Sequence, residues 1–473
     1  MAVEHWFGRV SMRNVRDLIW VVFIALAALV VTVPANAVEP NTEAGSDAAD
    51  RGYRLLVDTP FLSGDFDEEV VNNLWQVWPE PLRREAESAA PEQRRKMTFD
   101  RYGLTPRPDD PNKPLQYVVS EDGTWTMNCL SCHGGSVYGK PTPGAPNNRF
   151  ALQTLTEEVR STKFRVGSAI TRMDMASLVI PLGTTHGTTN AVVFGMGLMS
   201  RRDSQLNVIN TTPQSFVHHD MDAPPWWHFH KRPYLYIDGF AQKGHRGLMQ
   251  FMLIPENGRD FFLEHEDDFR DVYAFLSSLR APVYTGNIDS QLAERGRHLF
   301  EATCAECHGT YGDNPTYPNR CVPIEDVDTD PVRLTAFSPQ GRQHYADSWF
   351  AHAGEPDEQQ TVISPEGYVA PPLDGVWASP PYFHNGSVPT LWHVLNPPDR
   401  PTVWRRVSES MDEDRVGFKI EVADRVPLEE KDVAMRRSFF DSRRPGKSNQ
   451  GHDYGLALDP DEQAAVLEYL KTL

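Results

Sequence analysis

The feature that most limits what this chain can be is a five-residue pattern that occurs twice. Residues 129–135 read CLSCHGG, and residues 304–310 read CAECHGT. In each copy two thiols stand three positions apart and an imidazole follows the second directly. With 5 Cys and 16 His in 473 residues, random order yields roughly 0.002 such patterns. The two copies use four of the five cysteines. The spacing has a chemical reason: two thiols so placed can each add to one vinyl group of a haem, and the adjacent imidazole reaches the iron from the same side. This is the attachment pattern of a c-type haem. Cys129, Cys132, Cys304 and Cys307 are therefore expected to hold two covalent haem c groups, with His133 and His308 as axial ligands. The competing uses fit less well. Paired zinc-binding C-x-x-C units lie closer together, a thioredoxin-type pair needs no following histidine, and a structural disulfide leaves the repeated histidine unexplained.

Haem of this kind is attached outside the bacterial cytoplasm, and the N-terminus agrees. Arg9, Arg13 and Arg16 precede an apolar run from Leu18 to Val33, and Ala35 and Ala37 supply a small-residue cleavage pattern. The run is short for a membrane span. A signal peptide over 1–37, a flexible segment over 38–50 and a periplasmic or secreted location are predicted. The formal net charge is −19. Such an acidic chain is a poor partner for nucleic acid or an anionic membrane surface. The expected partners are peroxide or dioxygen, an organic substrate and a redox protein, with no integral span after cleavage. The 38 prolines exceed the usual share of about 5% and imply long irregular loops.

Periodicity divides the rest. Leu292, Gly296, Leu299 and Phe300 form one helical stripe leading into the second motif, and Val466, Tyr469, Leu470 and Leu473 form another at the C-terminus. The latter spacing recurs as Val272, Phe275, Leu276 and Leu279, ending before Pro282. A closing helix after each motif is a degenerate internal repeat. The expected fold is mainly α with long irregular loops, as two cytochrome c-like haem domains in tandem. The first spans 51–284 and carries an aromatic and His-rich insertion; the second spans 285–473. Before Cys129 the first unit reads extended rather than helical.

Residues 380–392, PPYFHNGSVPTLW, resemble a stretch of the bacterial di-haem cytochrome c peroxidase superfamily, which includes the di-haem enzyme that matures methylamine dehydrogenase. With CHGTY at 307–311 and GHDYG at 451–455, the pattern is most similar to the rubber oxygenase-like branch of secreted di-haem c-type cytochromes. The resemblance is specific over 289–473 and loose over 51–280, and it leaves the substrate open. It implies that His384 lies close to the second haem and that His452 supplies that haem's distal ligand. His452 also stands in a polar loop shortly before the closing helix, where cytochromes c commonly present a sixth ligand. A loop-holding role for His384 and a surface role for His452 are the alternatives. For the first haem, Met249 or Met252 could close the iron. Otherwise Phe240, Phe251 or a nearby aromatic lines an open pocket, with His245 or Arg246 to steer a bound oxygen species. Trp226 and Trp227 are candidates for an electron relay or plain packing. His186, His218, His219, His228 and His230 are too many to assign. The functional expectation is a haem-dependent oxidoreductase, of peroxidase or oxygenase type, with an open first haem and a bis-His second haem. The alternative is an electron carrier with both haems six-coordinate.

Overall fold

The computed structural model describes residues 48–210, 217–352 and 360–473. The predicted signal peptide at 1–37 and most of the predicted flexible segment lie outside these residues, and Ala48–Asp50 open the first helix. In chain order the elements that position the site are α1 (Ala48–Asp58), β1 (Tyr117–Val119), β2 (Thr124–Met127), α2 (Leu152–Val166), α3 (Ala191–Met199), α4 (Glu266–Ser278), α5 (Ser290–Thr303), β3 (Val403–Asp412), β4 (Gly417–Val422) and α6 (Pro460–Leu470).

The expectation of a mainly α fold is corrected. The described residues hold 19 helices and five small sheets, with 42% helix and 13% strand, so the fold is mixed α/β. The strands arise where β-branched and aromatic residues run between tight turns, a local preference that the haem motifs do not report. β1 pairs antiparallel with β2, setting Val119 opposite Trp125, and Gly123 at φ 83° makes the turn. β3 pairs with β4, setting Trp404 opposite Val422. On the other edge of β3, Trp404 stacks on Phe440 at 5.5 Å and 12°.

The helical repeat is more complete than its sequence suggests. α5 crosses α6 at Gly296, where an added Cβ would stand 1.9 Å from the Ala465 carbonyl oxygen and 3.0 Å from the Tyr469 Cβ. α1 crosses α4 in the same way at Gly52, where a Cβ would stand 2.1 Å from the Asp271 oxygen and 2.9 Å from the Phe275 Cβ. Asp271 precedes Phe275 by the same interval as Ala465 precedes Tyr469, so the two crossings share one register. Each C-x-x-C-H motif is thus bracketed by a helix pair in which a missing side chain lets two backbones touch.

The halves interlock. Trp227 is packed in one core with Tyr284, Trp377 and Val466. Phe240 and Met249 share another with Phe337, Tyr345 and Phe350. Lys447 reaches back to the buried Asp220 at 2.8 Å. Among the described residues no helix is long and apolar enough to cross a membrane.

Candidate functional site

Both C-x-x-C-H motifs open onto one mainly apolar cavity of about 1010 Å³. Each motif ends a single helical turn, Leu130–His133 in the first and Ala305–His308 in the second. This short turn projects both thiols and the imidazole to the same side, and all six side chains line the cavity. Burial pushes the Cys129 and Cys304 thiols up to about 12. They are therefore neutral thiols, unlike the depressed thiolates of a redox pair.

The two imidazoles are oriented alike. His133 Nδ1 lies 3.1 Å from the Pro224 carbonyl oxygen, and His308 Nδ1 lies 2.8 Å from that of Pro371. A carbonyl oxygen accepts only, so each Nδ1 carries the proton and each Nε2 keeps a free lone pair. Backbone anchoring of this sort fixes the tautomer and orientation of a metal-ligating histidine. Burial pushes His133 down to about 4 and also lowers His308. Both rings are neutral, as ligation requires.

Opposite His308 stands His452, with ring centres 6.2 Å apart and planes at 58°. An iron bound by two imidazole nitrogens at about 2.0 Å each, with each ring centre about 1.1 Å behind its nitrogen, needs centres about 6.2 Å apart. The residues present therefore fit a bis-histidine iron. His452 has φ 55°, and its backbone N–H donates to the Val327 oxygen at 2.6 Å. Burial, followed by the neighbouring His308, lowers its imidazole to about 3. Arg400 holds the loop from below: its guanidinium donates to the carbonyls of His393, Asn449 and Gly451 at 2.8, 2.8 and 2.7 Å. Nothing in the sequence marked Arg400 as the loop's organiser, because its partners are backbone atoms distant in the chain.

Among the described residues the first site has no such pair. Apart from His133, the histidines lining the cavity are His228, His308, His384 and His452. His228 Nε2 is committed to the Asp374 oxygen at 2.7 Å, and His384 lies against Tyr368 at 4.5 Å. Phe251 and Met252 line the cavity. Phe240 and Met249 do not: both are fully buried in the core. His245 and Arg246 also point elsewhere, to Glu266 at 2.9 and 2.7 Å. Met127, Met173 and Met221, which sequence reasoning missed, line the same cavity. So does one face of α3 through Val192, Phe194 and Leu198, while Val193, Met196 and Met199 of that helix are buried. Asp222 is another missed residue. It lines the cavity, and burial pushes its carboxyl well above the usual carboxylate range.

Between the sites, the His133 ring stacks on Trp226 at 4.6 Å and 22°. The next residue, Trp227, donates from Nε1 to the Asp374 oxygen at 2.8 Å. Asp374 follows Pro371 closely in the chain, and Pro371 anchors His308. Trp226 lines the cavity, whereas Trp227 is packed in the core. His384 sits on the cavity wall, and its carbonyl accepts from the Asp222 N–H at 2.9 Å, tying its loop to the first half. His218 is paired with Asp220 at 3.0 Å. Among the described residues no group of three or more His, Cys, Asp or Glu is placed to hold a bare metal ion.

Residues 367–405 match the family of RoxA-like, cytochrome c-like domains. The match contains the PYFHNGS stretch and Arg400, and it implies covalently bound haem c. Cytochrome c likeness is confined to this segment, which corrects the expectation of two such domains in tandem. The chain is also similar to two uncharacterized proteins of Sinorhizobium fredii. It is 29% identical to y4iM over 233 residues, covering 42% of this chain and 52% of that protein. It is 28% identical to y4iJ over 248 residues, covering 40% of each. The chain thus spans about half or less of the curated relatives it matches.

Proposed function

We propose that the chain is an exported di-haem c-type cytochrome with oxidoreductase activity toward dioxygen or peroxide. One haem is bound through Cys129, Cys132 and His133, the other through Cys304, Cys307, His308 and His452. The observation that carries this reading is the asymmetry of the two imidazoles. His308 faces a second histidine at iron-bridging distance, and among the described residues His133 faces none. An iron with two imidazole ligands passes electrons, while one with an open position takes a small molecule. When bound, haem supplies electron transfer at the second site and activation of the oxidant at the first.

The chain's own residues do the rest. Pro224 and Pro371 hold the two imidazoles in the ligating tautomer. Val192, Phe194, Leu198 and Phe251 keep water out of the first site and leave room for an apolar organic substrate. Burial pushes the Asp222 carboxyl up, which favours its acid form in that cavity. Trp226, Trp227, Asp374 and Pro371 connect His133 to His308 for electron passage. A second reading has one observation in its favour: Met127, Met173, Met221 and Met252 line the cavity. Any of them on the first iron would make the chain an electron carrier with both haems closed.

The test is to count haems that survive denaturation and acid–organic extraction, then to add cyanide to the ferric protein. Two covalent haems, one of them responding to cyanide, support the oxidoreductase. Two unresponsive haems, with a site opened by a methionine-to-alanine change, support the carrier. A chain with one covalent haem, or none, contradicts both.

A further inference from the structure

Behind the part of the shared cavity lining that holds Tyr236 lies a surplus of positive charge. Three guanidiniums are buried there. Arg333 and Arg342 are each 1% exposed, and both donate to the single carboxylate of Asp238, at 3.1 and 2.8 Å. Arg232 is 6% exposed. It donates from Nη2 to the Tyr236 carbonyl at 2.9 Å, while the Arg333 guanidinium lies over the Tyr236 ring at 5.3 Å. Several donors have no acceptor: Arg232 Nε, Arg333 Nε and Nη1, and Arg342 Nη1.

Among the described residues no nearby anion is free to meet this demand. Both oxygens of Asp238 are used by the two arginines. Asp330 accepts the backbone N–H groups of Val332 and Ser448. Asp374 is paired with Lys231. Tyr317, which stands close to Arg232, is pushed up to about 12 by burial and stays neutral. Burial also pushes Asp222, on the same cavity, well above the usual carboxylate range. Arginine cannot escape as a buried lysine or histidine does, by giving up its proton. An unpaired buried cation is costly, and native folds supply it with a partner.

Arg232 is the member of the group that lines the cavity. We propose that Arg232, backed by the Arg333–Asp238–Arg342 cluster, is the anchor for a haem propionate in the wall of the cavity onto which both C-x-x-C-H motifs open. This rests on the di-haem reading above. Each haem c brings two carboxylates, and a guanidinium matches a carboxylate in shape and charge. The thioether edge of each haem is fixed at its cysteines, so the carboxylate edge is the part still needing a polar partner in an otherwise apolar cavity. Either haem is a chemically equivalent source, and the measurement separates them.

The experiment uses the haem-loaded full chain, with Arg232→Gln and Arg232→Lys variants. Haem content, the midpoint potential of each haem and the propionate band in resonance Raman spectra are read together. Removing the positive charge beside a propionate makes reduction less favourable. Arg232→Gln is therefore expected to lower the potential of one haem and shift its propionate band, with Arg232→Lys in between. The haem that moves is the one whose carboxylate is held. Two haems with unchanged potentials and bands overturn the assignment. Should Arg232→Gln fail to accumulate, a crystal structure of the wild-type haem-loaded chain decides. A haem carboxylate within hydrogen-bond distance of Arg232 supports the anchor, and its absence overturns it. A wild-type haem count below two refutes the di-haem reading instead.

Discussion

The two motif histidines are prepared in the same way and meet opposite surroundings. His133 and His308 each end a single helical turn, each give Nδ1 to a proline carbonyl, and each turn Nε2 toward the cavity. Across from His308 the chain folds a left-handed residue, His452, into place and holds its loop with the buried Arg400. Around His133 the wall is built from an aromatic stack and an apolar helix face. The difference teaches that attachment chemistry is local, while the sixth position is decided by elements far away in the chain. A five-residue pattern can therefore specify where a haem is held and say nothing of what it does.

The most drastic way to break the comparison is to remove one attachment at a time. Changing Cys129 and Cys132 to Ala is expected to remove one of two covalent haems, and changing Cys304 and Cys307 the other, by absorbance per mole and by intact mass. Each variant then shows one half in isolation. The Cys304/Cys307 variant should keep the ligand-responsive haem and lose the low-spin one.

Next in size is His452→Ala. It should convert the second haem to a high-spin or water-ligated form and create a new carbon monoxide site there, with the first haem's spectrum little changed. If neither haem responds, the 6.2 Å pairing does not hold an iron.

The contact that keeps the halves in register is smaller but measurable. Lys447 and Asp220 are 3% and 0% exposed. Lys447→Met leaves the carboxylate buried without its cation, a cost of about 3–5 kcal/mol, read by denaturant unfolding. The pH dependence follows from Asp220. Burial acts to raise its pKa, but the hydrogen bond from His218 and the charge of Lys447 outweigh it and hold it well below the usual carboxylate range. Lys447 is itself pushed down, because burial outweighs its attraction to Asp220. The carboxylate, which also accepts from the Thr184 and Thr188 hydroxyls, sets the acid limb. A depressed carboxylate contributes stability that is present above its unfolded value of about 3.9 and lost as pH falls below it. Wild type should thus lose stability below about pH 4, and Lys447→Met should flatten that fall. An unchanged acid limb in the variant would remove this contact from the account.

The mildest effect tests where the halves are alike. Gly52→Ala and Gly296→Ala each drive a Cβ against a backbone carbonyl. Each should cost about 1–3 kcal/mol by thermal unfolding, and the two should be of similar size. A neutral Gly52→Ala would show that the first crossing is looser than the second.

Much of this was legible in the chain. The C-x-x-C-H spacing located both thiol pairs, and the stripes at Val272 and Val466 located both closing helices. The extended reading before Cys129 became β1 and β2. The first opening helix was not found, although Arg51-Gly52-x-x-Leu55-Leu56 mirrors Arg295-Gly296-x-x-Leu299-Phe300. It lies far upstream of its motif rather than beside it, and only the shared crossing reveals the pair. β3 and β4 were not legible, because they pair through a local alternation that carries no helical period. Phe240 and Met249 were misplaced because residues buried in a core and residues lining a cavity have the same composition; burial on all sides separates them only in three dimensions. Arg232 and Asp222 carried no periodic signal, being isolated polar residues in loops.

The central claim is that one site is open and the other closed. Carbon monoxide titration of the fully reduced wild-type protein tests it most directly. One carbon monoxide is expected to bind per two haems, with the bound signal retained in His452→Ala and joined there by a second. Zero or two equivalents in the wild type would contradict it, the first by showing that a residue closes the site at His133, the second by showing that His452 leaves the site at His308 open.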